Sequence, residues 1–286
     1  MPEIIYLNGK IVPPSEAVVS VNDRGFLFGD SVYEVIRSYA GRLWALARHL
    51  RRLERSLAAI EITTVDIAEV GRAIEETCRA SQFPDALVYL HITRGVAPRA
   101  HVYPPDLQPT ILIIVRDITP VIERIDFNGV PALTAPDLRW RRCDIKSTNL
   151  LPNILAQTRA RAHGADEAIL MDADGCITEA SSNSVFWVEQ RRIFTTPAGP
   201  EILPSITRDF IIEIARDESI PLLVERVPLE RFRRAGEIFL AGTTHEVCPV
   251  ISLDGQPVGD GRPGPITLRL QAAFRAHVEA ADDEPR

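Results

Sequence analysis

The chain has 286 residues, 45% of them hydrophobic and 25% charged, values that are typical of globular proteins and exclude disordered, collagen-like and disulfide-scaffold classes. Its net charge of −7 argues against a nucleic-acid-binding surface, and no apolar run approaches the roughly 18 residues that span a membrane. The four cysteines lack CxxC spacing, which argues against a zinc site, and the N-terminus lacks the basic and apolar regions of a secretory signal.

The first part of the chain predicts strands that are followed by helices. Asn8 and Gly9 form a hairpin-turn signal between two short apolar runs. Strands are predicted at residues 4–7, 11–12, 18–21, 31–39, 43–46, 86–93 and 110–115. Apolar residues at three- and four-residue spacing predict helices at 48–60 and 65–80. Residues 24–30, which contain two glycines, and the proline-rich loop, residues 94–109, are predicted to be irregular; the length of this loop favours a functional role.

The second part of the chain mixes hairpins with helices. Strands are predicted at residues 130–134, 167–171, 176–178, 184–189, 192–195 and 237–240, and helices at 151–163, 206–218 and 267–278. This mixture favours an α+β fold over a doubly wound parallel sheet. We expect a cytoplasmic protein with a smaller N-terminal α/β domain over residues 1–117, a linker over 118–127 and a larger C-terminal domain over 128–286, which would carry Lys146.

Lysine is rare in this chain, which gives the position of each lysine particular weight. Of the 32 basic residues, only Lys10 and Lys146 are lysines. A general bias toward arginine explains why lysine is scarce, but it does not explain where the two lysines occur. Lys10 follows the predicted hairpin turn, where we expect it to be exposed. Lys146 lies among short polar residues, and arginine cannot replace a lysine that must act as a nucleophile. Lys146 is therefore the candidate for covalent binding of an aldehyde. Pyridoxal phosphate is the commonest cofactor that is held in this way.

Pyridoxal phosphate also requires an acidic partner for its ring nitrogen and ligands for its phosphate. Glu179 ends a predicted strand beside small polar residues, although a solvated glutamate would look the same. Phosphate ligands are available at residues 205–207, which open a predicted helix, at residues 242–244 after a strand, and at Arg52. Each of these features also has an ordinary structural explanation, as a helix cap or a solvated helix face.

A substrate carboxylate needs cationic or hydrogen-bonding groups of its own. Arg99 and His101 alternate in the proline-rich loop, so both can point toward one carboxylate. A single surface arginine is more often only solvated. Tyr33 and Val35 share one face of a predicted strand; we expect core packing for Val35 and a functional role for Tyr33.

These stretches together resemble a known family of enzymes. The chain carries, in order, RGFLFGD at residues 24–30, HLRRL at 49–53, WRRCDIKS at 140–147, TEASSN at 178–183, ITR at 206–208 and GTT at 242–244. In this order they resemble the fold-type IV pyridoxal-phosphate enzymes over nearly the whole chain. The segment TRGVAPRAH at residues 93–101 is similar to that of D-amino acid aminotransferases and is not expected in branched-chain aminotransferases or aminodeoxychorismate lyases.

The resemblance implies a two-domain fold, pyridoxal 5′-phosphate as cofactor, no metal, and specific roles for the cofactor-binding residues. Lys146 would hold the cofactor as a Schiff base and move the proton between substrate Cα and cofactor C4′. Glu179 would pair with the pyridine nitrogen. The remaining implied contacts are with the phosphate, through Arg52, Ile206, Thr207 and Thr243, and with the ring face, through Leu203.

The resemblance also implies the substrates and the assembly. Tyr33, Arg99 and His101 would bind the substrate carboxylate, with Arg99 and His101 donated by the second subunit of a homodimer, and Thr244 would join the substrate site. The implied reaction moves the amino group of a D-amino acid such as D-alanine to a 2-oxo acid such as 2-oxoglutarate. Pyridoxal and pyridoxamine phosphate would alternate in a ping-pong cycle.

Three positions depart from the family pattern and leave alternatives open. Ala180 replaces an expected glycine, Pro152 follows two leucines, and His245 replaces an expected serine. The first two affect local backbone; His245 is nearer the cofactor and bears on side-chain selectivity or pH profile. The alternatives are a branched-chain L-amino acid or (R)-amine transaminase, a pyruvate-releasing lyase, and a non-catalytic binding or dimerisation module. Retention of the candidate cofactor ligands disfavours the last.

Overall fold

The computed structural model describes residues 3–280, and its contacts divide them into two compact units. The first unit contains the described residues up to Val121 together with Ile145–Asn149; the second contains Ile122–Asp144 and the described chain from Leu150 onward. None of the helices within residues 3–280 combines the length and apolar character that crossing a membrane requires.

The first unit is built on a six-stranded sheet. Its elements are β1 (Glu3–Leu7), β2 (Lys10–Val12), a 3-10 turn (Pro14–Glu16), α1 (Arg24–Phe28), β3 (Ser31–Tyr39), β4 (Arg42–Leu43), α2 (Leu46–Ala59), α3 (Ile67–Ser81), β5 (Ala86–Thr93), β6 (Thr110–Asp117) and α4 (Thr119–Ile122), which ends at the unit boundary. The strand order is β2-β1-β6-β5-β3-β4, and every pairing is antiparallel.

Alternation along the central strands explains why one sheet face is covered by helices. On β5, Val88, Leu90 and Ile92 are fully buried, whereas the residues between them are partly exposed. Leu53 of α2 and Ile74 of α3 belong to the same apolar cluster. Each such side chain contributes about 1.5–3 kcal/mol when it leaves water. The opposite face of the sheet, which carries the alternate residues, remains available for a functional site.

The second unit is built on a nine-stranded mixed sheet. Its elements are β7 (Val130–Pro136), α5 (Leu151–Ala162), β8 (Glu167–Met171), β9 (Ile177–Ala180), β10 (Ser184–Glu189), β11 (Arg192–Thr195), α6 (Ile206–Asp217), β12 (Leu222–Val224), α7 (Leu229–Phe232), β13 (Glu237–Gly242), β14 (Glu246–Leu253), β15 (Gln256–Pro257) and α8 (Pro265–Ala280). The strand order is β12-β11-β10-β13-β14-β7-β8-β9, with β15 paired to β14. Helices α6 and α8 pack on β13 and on each other.

The α+β prediction is confirmed, and most predicted elements occur within a few residues of their expected bounds. The predicted strand at residues 18–21 is wrong: Val18 and Val21 are more than two-thirds exposed and pair with no strand among the described residues. β-branched residues favour strands only where a partner strand is available. The predictions also omit β12, β14, β15 and the short helices α1, α4 and α7.

The predicted irregular segment at residues 24–30 contains helix α1 instead. The carboxylate of Asp23 caps the helix by accepting from the backbone N–H of Gly25 at 2.8 Å, and it also accepts from the hydroxyls of Thr93 and Thr110. Gly29 ends the helix at φ +65°, in the left-handed conformation that glycine adopts without strain. The two glycines therefore sit within and at the end of a single helical turn.

The segment that carries Lys146 belongs by its contacts to the first unit, not to the C-terminal domain that the sequence predicts. Tyr33 N–H donates to the carbonyl of Lys146 at 3.0 Å, and Ser147 forms a β-bridge with Val32. Ile145 is buried in the core of the first unit. A five-residue segment that is distant in sequence thus pairs alongside β3. Local sequence patterns do not encode such a tertiary pairing.

Candidate active site

Lys146 lies at the edge of the first unit's sheet with its amine over an aromatic ring. Its Nζ is 4.2 Å from the centre of the Tyr33 ring, and its backbone N–H donates to Ser56 Oγ at 3.2 Å. No carboxylate within residues 3–280 forms an ion pair with the amine. A half-buried amine that is fixed by its backbone and not held by a counter-ion is suited to attack an aldehyde.

Tyr33 belongs to a row of rings on the sheet face opposite α2 and α3. It pairs in register with His91 on β5, and its ring centre lies 6.0 Å from that of Tyr89. Burial lowers the pKa of His91, and its buried Nε2 has no hydrogen-bond partner within residues 3–280. Val35, on the same face, is only partly buried and lies outside the helix-covered core, contrary to the predicted core packing.

A buried ion network lies beside Lys146 and contains Arg52. Arg52 donates to both carboxylate oxygens of Glu34, from Nε at 2.8 Å and from Nη2 at 2.7 Å. His49 Nδ1 is 2.8 Å from the same carboxylate. Burial alone would raise the pKa of Glu34, but Arg52 and His49 hold it well below its usual range. Burial lowers the pKa of His49, and the charges of Arg52 and Lys146 lower it further.

The proline-rich loop places Arg99 and His101 at the surface, where both contact Phe28. The Arg99 guanidinium lies 5.4 Å from the centre of the Phe28 ring, and the His101 ring meets it edge-on at 5.9 Å. Both residues are exposed in the single chain. The structure thus brings the two predicted carboxylate ligands together, but it shows no contact between either of them and Lys146.

Glu179 of β9 is buried in the second unit beside a second ion network. Arg139 donates from Nη1 to its carboxylate, and Leu203 N–H donates to it at 3.3 Å. The same guanidinium donates to Asp137 from Nε at 2.9 Å and from Nη2 at 2.6 Å. Burial raises the pKa of Glu179, and the charge of Arg139 opposes the rise. A fixed, buried carboxylate of this kind can pair with a heterocyclic nitrogen.

The start of α6 follows Leu203 directly and presents backbone donors. Ser205 caps the helix by accepting from Arg208 N–H at 3.2 Å. Ile206 and Thr207 occupy its first turn and are buried. The first amides of a helix and its positive dipole end favour an anion. Leu203, whose amide contacts the carboxylate of Glu179, thus lies only a few residues before Ile206 and Thr207 in the chain.

Thr243, Thr244 and His245 form the turn between β13 and β14, and all three are half-buried. Thr244 Oγ1 is 3.2 Å from His245 Nδ1. Burial lowers the pKa of His245, and Glu167 partly opposes this. Because α6 packs on β13, the turn lies at the end of a strand that contacts the helix.

The sequence did not identify four titratable residues that lie next to predicted site residues: Glu34, His49, Asp137 and Arg139. His49 lies within the HLRRL motif, and Arg139 directly precedes the WRRCDIKS motif. The Glu34–Arg52 and Arg139–Glu179 ion pairs join residues that are distant in sequence, so local patterns gave no signal for them. For Arg139 the missing information is its position opposite Glu179, which is a tertiary property.

The donor types fit pyridoxal phosphate. The first unit supplies a primary amine without a counter-ion, and the second supplies a buried carboxylate, an apolar residue and helix amides with adjacent threonines. An aldehyde, a basic ring nitrogen, a ring face and a phosphate are the groups that these four features can bind.

The sequence and the fold both match proteins of one family. The Amino-transferase class IV profile matches residues 31–253. A D-alanine aminotransferase of Staphylococcus aureus is 40% identical over 283 residues, which cover 97% of this chain and 99% of that protein.

Solved structures of related enzymes share the whole fold. A branched-chain amino acid aminotransferase of Escherichia coli superposes with a TM-score of 0.88 at 29% identity, over 96% of this chain and 93% of that one. The branched-chain amino acid aminotransferase of Thermobaculum terrenum, solved in its PLP form, gives a TM-score of 0.85 at 26% identity, over 98% and 94% of the two chains.

Proposed function

Because this chain belongs to the class IV aminotransferases, which use pyridoxal phosphate, we propose that it transfers the amino group of D-alanine or a similar D-amino acid to a 2-oxo acid such as 2-oxoglutarate. The observation that carries this proposal is the full-length similarity to a D-alanine aminotransferase. It is supported by the exposed pair of Arg99 and His101, which sequence reasoning ties to the D-amino acid enzymes.

Residues of the second unit, together with Arg52 of the first, would hold and tune the cofactor. Glu179, fixed by Arg139 and by the Leu203 amide, would keep a proton on the pyridine nitrogen. Leu203 would lie against the ring, and the first turn of α6, with Thr207, would hold the phosphate together with Thr243 and Arg52. When bound, the cofactor supplies an electron sink for the electron pair left at substrate Cα.

Lys146 would perform the proton transfers. Its Nζ would bind the cofactor covalently at rest and, once freed, act as the general base that takes the proton from substrate Cα. Tyr33 restricts the amine on one side, since the ring lies 4.2 Å from Nζ. A carboxylate held by Tyr33, Arg99 and His101 would fix which face of Cα meets the amine, and this would select one enantiomer.

We also propose that the active form is a homodimer in which Arg99 and His101 serve the partner's site. Their exposure in the single chain supports this, because a carboxylate ligand must be covered to exclude water during catalysis. A cytoplasmic location is proposed as well; it is consistent with four free cysteines among the described residues. His245, next to the proposed substrate residue Thr244, would influence side-chain preference.

Branched-chain L-amino acid transamination is the second candidate, because the solved relatives named above are branched-chain enzymes. Steady-state assays with 2-oxoglutarate and either D-alanine or L-leucine separate the two. We expect a high kcat/KM with D-alanine and little turnover of L-leucine.

The Arg99→Gln variant extends this test to the carboxylate site. The variant is expected to raise the KM for D-alanine roughly 10- to 100-fold, the loss of one charged hydrogen bond of about 1.5–3 kcal/mol. Arg116→Gln, which removes an exposed ion pair with Glu3, is the control. Preferential use of L-leucine, with no effect of Arg99→Gln, would establish the branched-chain alternative.

A further inference from the structure

The proline-rich loop is fixed at its base by the segment around α1. Arg24 N–H donates to the Gly95 carbonyl at 2.9 Å, and Ala97 N–H donates to the Asn22 carbonyl at 3.2 Å. Gly95 has φ +104°, and a Cβ at this position would lie 2.0 Å from the carbonyl oxygen of Gln108. The backbone at the base of the loop is therefore restricted to one conformation.

The side chain of Arg24 fixes the tip of the loop. Its Nη1 donates to the Ala100 carbonyl at 2.7 Å and its Nη2 to the His101 carbonyl at 3.2 Å. Its Nε donates to Asp30 at 2.7 Å. Arg24 is only 4% exposed, whereas Ala100 and His101 are exposed. A buried guanidinium thus holds the backbone carbonyls of two consecutive exposed residues, one before and one after the Cα of His101.

Phe28, one turn after Arg24 on α1, supports the side chains of the same loop. Its ring contacts the guanidinium of Arg24 at 4.8 Å and that of Arg99 at 5.4 Å, and meets the His101 ring at 5.9 Å. Cation–π contacts of this kind contribute about 0.5–1 kcal/mol at exposed sites. Helix α1 therefore determines both the backbone path and the side-chain directions of the loop tip.

An ion cluster beneath the loop holds the guanidinium of Arg24 in place. Arg94 donates to Asp30 from Nε at 2.8 Å and from Nη2 at 3.0 Å, so Arg24 and Arg94 share one carboxylate. Burial alone would raise the pKa of Asp30, but the hydrogen bonds and charges of Arg94 and Arg24 lower it, and the carboxylate stays ionised.

We propose that Arg24 is a positioning residue for the α-carboxylate of the substrate: it holds the backbone at Ala100 and His101, and with Phe28 it presets Arg99 and His101 for binding. The inference rests on the proposed function, since it assigns the carboxylate to Arg99 and His101. Amino acid and oxo acid both carry this carboxylate, so Arg24 acts on the binding of both. Its side-chain hydrogen bonds go to Asp30, Ala100 and His101, none of which is proposed to hold the cofactor.

The Arg24→Lys variant tests this role, because lysine keeps the charge beside Asp30 but cannot donate to two carbonyls in a fixed fork. We expect the KM for D-alanine and for the oxo acid to rise about 10-fold with kcat nearly unchanged, as for lost preorganisation in binding. Amide hydrogen exchange at residues 99–102 should accelerate, and the visible spectrum of the bound cofactor should not change. Arg116→Lys, at an exposed ion pair of the same unit, should match the wild type in KM, in amide exchange at residues 99–102 and in the visible spectrum.

A folded Arg24→Lys protein with wild-type KM values and wild-type exchange in the loop would overturn the proposal. Should Arg24→Lys fail to fold, Phe28→Leu decides: a raised KM supports the proposal, and an unchanged KM overturns it. Failure of the proposed function is separate and visible in the wild type, as an absence of D-alanine turnover. In that case the exchange rates at residues 99–102 still report whether Arg24 holds the loop.

Discussion

The role proposed for Lys146 requires an amine that can lose its proton and attack a carbonyl carbon, a requirement that a guanidinium cannot meet. The structure gives Lys146 three properties that serve this chemistry: a backbone fixed against β3 and α2, an aromatic ring beside Nζ, and no ion-paired carboxylate within residues 3–280. Lys10, the other lysine, is exposed in the β1–β2 hairpin and has no such surroundings.

Replacement of Lys146 by arginine should therefore abolish covalent cofactor binding while the charge is kept. We expect the visible band of the bound cofactor to disappear and kcat to fall at least about 1,000-fold, as for the loss of a nucleophile and base. The measurement is an absorbance spectrum of the purified variant followed by a D-alanine assay. Lys10→Arg makes the same chemical change at an exposed position and should retain both; near-wild-type turnover by Lys146→Arg would contradict the assignment.

Glu34 provides a second prediction at this scale, through the pH dependence of stability. Arg52 and His49 lower the pKa of Glu34 in the folded protein below the ordinary value of 4.5. The contribution of Glu34 to the free energy of unfolding is therefore present above pH 4.5 and is lost as the pH falls toward the folded-state pKa. Glu34→Gln should lower the free energy of unfolding at pH 7 by about 3–5 kcal/mol, the cost of breaking a buried pair.

The difference between wild type and Glu34→Gln should narrow by about 1.4 kcal/mol per pH unit below pH 4.5. Urea unfolding at pH 7, 4 and 3 measures it. Glu3→Gln, which removes the ion pair with Arg116 at the surface, is the control and should change the free energy of unfolding by less than about 1 kcal/mol. A constant difference across these pH values would show that Glu34 is not held ionised by its neighbours.

Sequence alone identified Lys146 through the rarity of lysine, because a residue type that the composition disfavours is retained for its chemistry. It did not identify Arg139, one of many arginines in the chain. What makes Arg139 important is its hydrogen bond to Glu179, and the two residues lie forty positions apart. Such pairings depend on how β7 and β9 are arranged in the sheet, which no local pattern specifies.

At the scale of elements, periodicity predicts α2 well because its apolar residues recur at helical spacing over four turns. Helix α1 has five residues and includes a glycine, so it offers no period to detect. Its existence depends on the buried Asp23, whose carboxylate is fixed by Thr93 and Thr110 from neighbouring strands. Strand β14 was missed because most of its residues are buried and do not alternate.

The backbone at Gly95 yields a prediction for the proline-rich loop as an element. Gly95→Ala places a Cβ 2.0 Å from a carbonyl oxygen at φ +104°, so the loop must move. We expect a loss of stability clearly above the roughly 1 kcal/mol that a left-handed backbone alone costs, with a raised KM for D-alanine. Thermal melts and steady-state kinetics provide both readings.

Gly164→Ala is the matched control, since Gly164 also has positive φ, at +79°, but no atom lies within 4 Å of its Cβ position. Gly164→Ala should lower the stability only by the cost of placing alanine at a positive φ, and it should keep the wild-type KM. Equal effects of the two substitutions would mean that the close approach to Gln108 does not constrain the loop.

At the scale of the whole molecule, each unit carries part of the proposed machinery: Lys146 and Tyr33 in the first, Glu179 and Leu203 in the second. The proposed exchange of Arg99 and His101 between subunits adds a third contribution. It predicts complementation between two impaired proteins, because Lys146→Ala in one subunit and Arg99→Ala in the other then fall in the same site of a heterodimer and leave its other site intact.

Unfolding and refolding an equal mixture of these two variants should restore about one quarter of wild-type activity, since half of the dimers are mixed and each contains one intact site. Each variant refolded alone provides the baseline. A mixture no more active than the sum of its parts, with mixed dimers confirmed by a size tag, would show that the loop serves its own subunit.

The visible absorbance spectrum of the purified protein, before and after D-alanine and then L-alanine, tests the central claim most directly. We predict a yellow band of the lysine-bound cofactor that converts to the pyridoxamine form with D-alanine and not with L-alanine. Conversion by L-amino acids instead would keep the family and contradict the D-amino acid assignment. Absence of any band after incubation with excess pyridoxal phosphate would contradict the role of Lys146 itself.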